Sequence, residues 1–465
     1  MRVDPGTSGA ASLALRVGNG RFSVQGSHRT ARRTRYVAGI ATAVTAIAAL
    51  LLLSACSGSG GGLLGGHKPK PTPAAQVTIT PTNGSKNART DGGITVKAAD
   101  GKLTSVTVHT KGTQVTGSYS QGGTVWHSKW TLGTSQNFRV TATAVNSAGK
   151  TVTATSSFHT FTPHRSFQTQ IFEGSGQSYG VGMPVMLTFS APIRDRANVE
   201  RALELRTSKP VVGAWWWAND QTLNFRPKSF WPTHTKVTFI GHLDGLRAGP
   251  SLYGSSDLAQ SFNIGDSIVV HVSTSGHYMK VFKNGKRIYT WPISSGKPGD
   301  DTPNGTFLTI DKGNPVEMKP ADISPGQPGY YDVKVNWSVR FTWSGDYIHS
   351  APWSVGEQGS VNVSHGCVNL GPQYAPIYYN MELQGSPVKV SGSPADGVFG
   401  DGWTDWFMSW EKMLKKSATG MAVQAGPDGS TFVSPDSLNT PSATPSSTAL
   451  SSTAPAATPS TSATR

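Results

Sequence analysis

Cysteine is almost missing from this sequence. It occurs twice, at Cys56 and Cys367, in unrelated contexts, so no disulfide framework is expected. Charge is also thin, at 14% of residues against about 25% in an ordinary globular chain. Acidic side chains are the scarcer kind, 26 against 41 Lys and Arg. Only one long apolar run exists, near the N-terminus, which excludes a multi-span membrane protein. No sustained heptad pattern supports a long coiled coil. The histidines lack ligand spacing, so neither a metal site nor a cofactor is expected. Apolar residues reach only 36%, while Gly (53) and Pro (30) are plentiful, so much of the 465-residue chain is turn, linker or tail. The length suits about three domains of roughly 150 residues.

The surplus of positive charge has a location. Residues 1–55 hold seven arginines against one aspartate, six of the net +15, leaving +9 for the rest. A positive surface favours polyanions. No nucleic-acid motif and no basic stripe accompanies it, so attraction to a membrane or an acidic wall polymer is the better reading, and no nucleic-acid partner is expected.

Arg32, Arg33 and Arg35 precede an apolar stretch from Tyr36 to Leu53, followed by Leu53-Ser54-Ala55-Cys56. Basic residues, an apolar core and small residues before a cut site make a secretory signal over residues 1–55. Its Leu-Ser-Ala-Cys ending looks like a bacterial lipobox, in which Cys56 is lipidated and becomes the mature N-terminus. The competing reading is an uncleaved transmembrane anchor. Either way the chain is expected to be exported, held at the cell membrane and turned toward the cell wall. Cys367 is then a single thiol in an oxidising compartment, a hazard unless it does chemistry.

The remainder divides by composition. Residues 56–76 are a Gly/Ser tether and a stiffer Pro-rich spacer. Residues 77–163 and 164–265 carry short alternating strands between turn signals and read as two tandem immunoglobulin-like β-sandwiches. Residues 266–392 are a third β-rich block, with Asn284-Gly285 as a hairpin signal and a Gly/Pro-rich, weakly patterned stretch over 311–330 that reads as a lid. Residues 393–420 place Trp403, Trp406 and Trp410 at helical spacing and predict a short aromatic helix packed on the third block. Residues 421–465, rich in Ser, Thr, Ala and Pro, predict a disordered tail. The fold class is mostly β. Trp215-Trp216-Trp217 could stack on sugars, but filling a core is favoured.

The chemistry concentrates in Tyr347-Ile348-His349-Ser350-Ala351-Pro352-Trp353 and Ser364-His365-Gly366-Cys367-Val368-Asn369. A thiol nucleophile needs a base, an orienter for that base, and donors for an oxyanion. Cys367 supplies the nucleophile and His349 the base, reached by a return suited to two adjacent β elements. Ser350 orients the imidazole through its backbone carbonyl. The amides around Gly366 and Cys367 face a developing oxyanion, and Gly366 leaves room for substrate. His365 stands beside the base or on the substrate, and Asn369 braces the turn. A plain buried cysteine is the bland alternative.

At these residues the sequence resembles the L,D-transpeptidase catalytic domain, also called the YkuD domain. The likeness is motif-specific over roughly 266–392. The order of lipobox, two immunoglobulin-like domains, catalytic domain and aromatic helix resembles the actinobacterial members; residues 1–30 and the tail are outside it. The resemblance implies a Cys thioester enzyme that joins peptidoglycan stem peptides by 3→3 cross-links and releases D-Ala from a tetrapeptide donor. It implies His349, Cys367 and Ser350 as the triad. It matches Ser364, His365, Gly366 and Asn369 to the rest of the signature, Tyr331 and Trp353 to pocket aromatics, and Met318 to the lid. Carbapenems acylate this cysteine in the family. The same thiol chemistry with another acceptor would give an L,D-carboxypeptidase or a wall-protein ligase; an inert signature would leave a wall-binding protein.

Overall fold

The computed structural model describes residues 72–438 apart from 112, 321, 322 and 329. The expected signal, the lipidation site Cys56 and residues 439–465 lie outside the described residues.

Alternation builds the first block. Along Asn137–Val145, Phe138, Val140, Ala142 and Ala144 are buried while the residues between them are exposed or half-buried, the pattern of a strand with one wet face. This strand pairs antiparallel with Lys102–Thr110 and, through a turn in which Asn146 accepts the Ala148 and Lys150 amides, with Thr151–His159. A second four-stranded sheet lies opposite, and Val96, Trp126, Val108, Val140 and Phe158 fill the space between.

The second block is a ten-stranded sheet with a smaller three-stranded one. The strand Val211–Trp217 carries the tryptophan run, and all three rings are buried. Trp215 and Trp217 enter the main core beside Phe225 and Phe189. Trp216 faces the other way, against Met408 and Met413, and its Nε1 donates to Asp405 at 3.0 Å. Three consecutive aromatics thus mark a strand covered on both faces, and neither face is left for sugar.

What covers the second face corrects two expectations. No single helix holds Trp403, Trp406 and Trp410: a 3₁₀ turn spans Asp405–Phe407, Met408 is extended, and the α-helix is only Trp410–Lys415, capped by Ser409 accepting the Lys412 amide. Nor does the segment pack mainly on the third block. Trp403 joins the core of the second block, and Trp406 donates to the Gly182 carbonyl at 2.8 Å beside Phe230. Phe407 does reach the third block, on Phe307. The tryptophan spacing reflects separate partners rather than one helical face.

The disordered tail expected from 421 is also wrong for its first part. Ala422–Gly426 enters the ten-stranded sheet between Val211–Trp217 and Leu203–Thr207, and Gly429–Val433 folds back on it. Averaging over the low-complexity residues that follow hid a hairpin whose turn is Pro427-Asp428. The fully buried Glu200 carboxylate fixes the approach, accepting from Trp217 Nε1 (2.8 Å), Ser417 Oγ (2.8 Å), the Ala418 amide (2.7 Å) and Thr419 Oγ1 (2.7 Å).

The third block is a nine-stranded sheet centred on Ile268–Ser273, Tyr278–Lys283 and Lys286–Ser294. The last two are joined by Asn284 and Gly285 at positive φ, as a tight hairpin requires. Val270, Val281, Phe307, Ile348, Val368 and Tyr378 form its core. The 311–330 stretch is more ordered than its composition suggested: Asp311–Gly313 is the edge strand, and Val316–Met318 pairs with Val333–Val335 as a separate ribbon.

Because Glu200 collects so many donors, Glu200→Ala is expected to cost about 3 kcal/mol and to expose residues 417–438 to limited proteolysis. A melting temperature within about 2 °C of the parent, with that segment still protected, would show that the carboxylate does not hold it.

Candidate active site

Two short parallel strands place the chemistry. Tyr347–Ser350 pairs with Val368–Leu370 so that His349 lies opposite Asn369. Cys367 immediately precedes the second strand, which brings both candidate catalytic side chains to one end of the pair. On its other side Val368–Leu370 pairs with Lys286–Ser294, so the site rests on the middle of the sheet.

Both side chains open on a cleft of about 360 Å³. Of the residues singled out from sequence, Met318, Tyr331, His349, Trp353, Ser364, His365, Cys367 and Asn369 line it, while Ser350 and Gly366 do not. Val333, Val335 and Val363 complete the wall. Sequence reading passed over them, although Val333 and Val335 alternate around Lys334 just after the lid tyrosine, as a half-buried ribbon does. The ribbon of Val316–Met318 and Val333–Val335 contributes Met318, Val333 and Val335 together, so a large part of the apolar wall comes from one element.

His349 is 3% exposed, and its Nδ1 lies 3.1 Å from the Ser350 carbonyl oxygen. A carbonyl only accepts, so Nδ1 carries the proton and Nε2 is the basic nitrogen. Ser350 therefore acts through its backbone. The imidazole is also 5.9 Å, centre to centre, from Trp353, which is 58% exposed at the rim. The 3₁₀ turn Pro352–Ser354 that carries Trp353 is braced from below, where buried Asn369 donates to Ser354 Oγ at 3.0 Å.

The nucleophile turn is closed by its own side chains. Ser364 Oγ donates to the Cys367 carbonyl at 2.6 Å and accepts the Gly366 amide at 3.3 Å. Thr302 Oγ1 donates to the Gly366 carbonyl at 2.6 Å; no sequence signal pointed to Thr302. Gly366 sits at φ +116°, a backbone region that side chains disfavour. His365 points away from this turn. Its Nε2 is 2.8 Å from Lys297 Nζ, and its ring stacks on Tyr331 at 5.2 Å, so it ties the cleft mouth to the lid segment.

Enclosure pushes the Cys367 thiol up to about 12 and lowers His349 to about 4. Burial without a strong compensating charge favours the neutral pair, and the Cys367 thiol points to the Gly345 carbonyl at 3.8 Å. The arrangement suits a proton that leaves sulfur as the sulfur attacks, rather than a pre-ionised pair.

Enclosure favours the neutral form of both groups, so alkylation of Cys367 by iodoacetamide should be faster at pH 9 than at pH 6. Rate measurements by peptide mass that reach a plateau below pH 6 would instead reveal a resting thiolate–imidazolium pair.

Residues 267–390 match the family described as the L,D-transpeptidase catalytic domain, and residues 85–247 match the bacterial Ig domain. L,D-transpeptidase 2 of Mycobacterium tuberculosis is 31% identical over 392 residues, covering 82% of this chain and 96% of that protein. L,D-transpeptidase 5 of the same species is 32% identical, over 75% of this chain and 78% of its own length. A solved structure of the LD transpeptidase LdtMt1 in complex with imipenem is 35% identical, covers 48% of this chain and 97% of that one, and superposes with a TM-score of 0.42. With a relative alike over nearly its entire length, and a catalytic family matched across the block that brings Cys367 and His349 to one cleft, the chain belongs to the L,D-transpeptidase family, a family of acyltransferases.

Proposed function

We propose that this protein forms 3→3 peptidoglycan cross-links through a thioester on Cys367. The observation that carries the proposal is the shared cleft: a thiol and an imidazole with its basic nitrogen identified by the Ser350 carbonyl, walled by apolar residues of the lid ribbon. In the first half-reaction, His349 Nε2 takes the thiol proton as Cys367 Sγ attacks the carbonyl carbon of the donor tetrapeptide. The Cys367 backbone amide holds the oxyanion, while the Gly366 amide is tied to Ser364 Oγ within the turn. The amide C–N bond breaks, His349 returns the proton to the departing amine, and D-Ala leaves. In the second, the side-chain amine of another stem attacks the thioester, its proton passes through His349, and the C–S bond breaks to restore the thiol.

The acceptor amine competes with water, and this is where the lid matters. Met318, Val333 and Val335 present apolar surface over the thioester position, which lowers water activity there and favours transfer to the amine. The same enclosed thiol is the group a carbapenem would acylate.

Membrane anchoring is also part of the proposal. Cys56 follows the basic and apolar segments of an export signal, and the two β-sandwich blocks then set the distance from the membrane to the catalytic block. The wall, rather than nucleic acid, is the polyanion the positive charge meets.

Incubating the protein with a disaccharide-tetrapeptide should give a dimeric product that has lost one D-Ala, and a carbapenem should add its mass to the Cys367 peptide. Cys367→Ala should abolish both. His349→Asn should slow acylation by about 10²–10⁴-fold. Loss of D-Ala without a dimer would make the protein an L,D-carboxypeptidase. Separately, Cys56→Ala should move the protein from the detergent phase to the aqueous phase on phase partition, and unchanged partition would remove the lipid anchor from the account.

A further inference from the structure

Three consecutive residues, of which only Tyr347 belongs to the catalytic stretches read from sequence, lie against the nucleophile turn. The carbonyl of Gly345 is the acceptor to which the Cys367 thiol points, at 3.8 Å. Next in the chain, Asp346 lays its carboxyl on Gly366: a Cβ placed there would lie 2.2 Å from Oδ1. The other carboxyl oxygen is fixed by Thr342 Oγ1, which donates at 3.0 Å and also accepts the Asp346 amide at 2.7 Å. The loop is anchored from outside as well. Ser344 donates to Asp401 through its amide (2.7 Å) and its hydroxyl (2.6 Å), and Asp401 belongs to the C-terminal segment.

We propose that Asp346 is a positioning residue of the acyl-transfer site, whose carboxyl braces the Gly366–Cys367 turn and whose negative charge holds the resting nucleophile as a thiol. The proposal deepens the thioester reading above and rests on it. An anion against the turn favours the form of sulfur that carries no charge. The S–H group then keeps its contact with Gly345, and thiolate develops only as the proton passes to His349 during attack.

The carboxyl has few partners to offset it. The ionisable groups around it are Asp401 from the C-terminal segment, Cys367 from the nucleophile turn and the Tyr331 phenol across the cleft. Lys297 and Asp300 pair with each other at 3.1 Å farther out, beside His365. Among the described residues no Lys or Arg side chain pairs with Asp346. Enclosure lifts its acid to about 6, so the charge is present above that pH and lost below it.

The test is the rate of iodoacetamide alkylation at Cys367, followed by peptide mass on the full chain between pH 5 and pH 9. It needs no stem peptide, so it is decided independently of which acceptor the enzyme uses. The wild type should bend near pH 6 as the carboxyl ionises and then resume its rise. Asp346→Asn keeps the shape and the Thr342 bond but not the charge. It should follow an unbent line, coincide with wild type at pH 5, and run roughly three- to thirtyfold faster at pH 8. Superposed or parallel profiles for the two proteins would overturn the charge role. Asp346→Ala should lower kcat for thioester formation by about tenfold or more with KM little changed, because the turn loses its brace; unchanged kcat would overturn the bracing role. If the alanine variant does not fold, the asparagine profile decides alone.

Discussion

The parallel pairing of Tyr347–Ser350 with Val368–Leu370 sets the position of nearly everything in the site. A parallel pair cannot be closed by a tight turn, so the chain must leave after Ser350 and return before Val368. The excursion carries Trp353 out to the rim and brings Ser364, His365 and Gly366 in just ahead of the nucleophile. Its two ends are locked at one level, where Asn369 reaches under the excursion to Ser354. A slip of one residue would turn His349 to the opposite face of the sheet, and no side-chain adjustment could recover the site.

Burial gives this geometry its chemical character. Taking a thiol and an imidazole out of water favours the uncharged form of each, and the structure surrounds the pair with valines, a methionine and aromatics rather than with cations. Sulfur kept as a thiol is a poor target for adventitious oxidation and a weak nucleophile toward stray electrophiles. Reactivity is then conferred by a substrate whose carbonyl lies where the oxyanion can be held. Selectivity and protection come from the same enclosure.

The sequence disclosed the parts whose chemistry is local. Cys367, His349 and their flanking residues could be read because a thiol, an imidazole and a glycine-bearing turn within one short stretch serve few other purposes. The β character of all three blocks was visible in alternation, and the Asn284-Gly285 hairpin in its turn residues. What stayed hidden depends on long-range packing. Thr302 is distant in sequence from the Gly366 carbonyl it holds. Glu200 reads as an ordinary surface glutamate until the chain returns to give it donors. The three C-terminal tryptophans mimic a helical stripe because two separate surfaces happen to be met at helical intervals. Residues 422–433 were obscured by the low-complexity stretch beyond them.

That last hairpin has a topological consequence. Ala422–Gly426 is an interior strand of the second block, inserted between strands more than two hundred residues earlier. The middle β-rich unit therefore cannot finish assembling while the chain is still emerging; it must wait, with a slot open in its main sheet, until the enzymatic unit that follows has been made and threaded past it. Completion of the middle of the molecule reports that the whole enzyme has arrived.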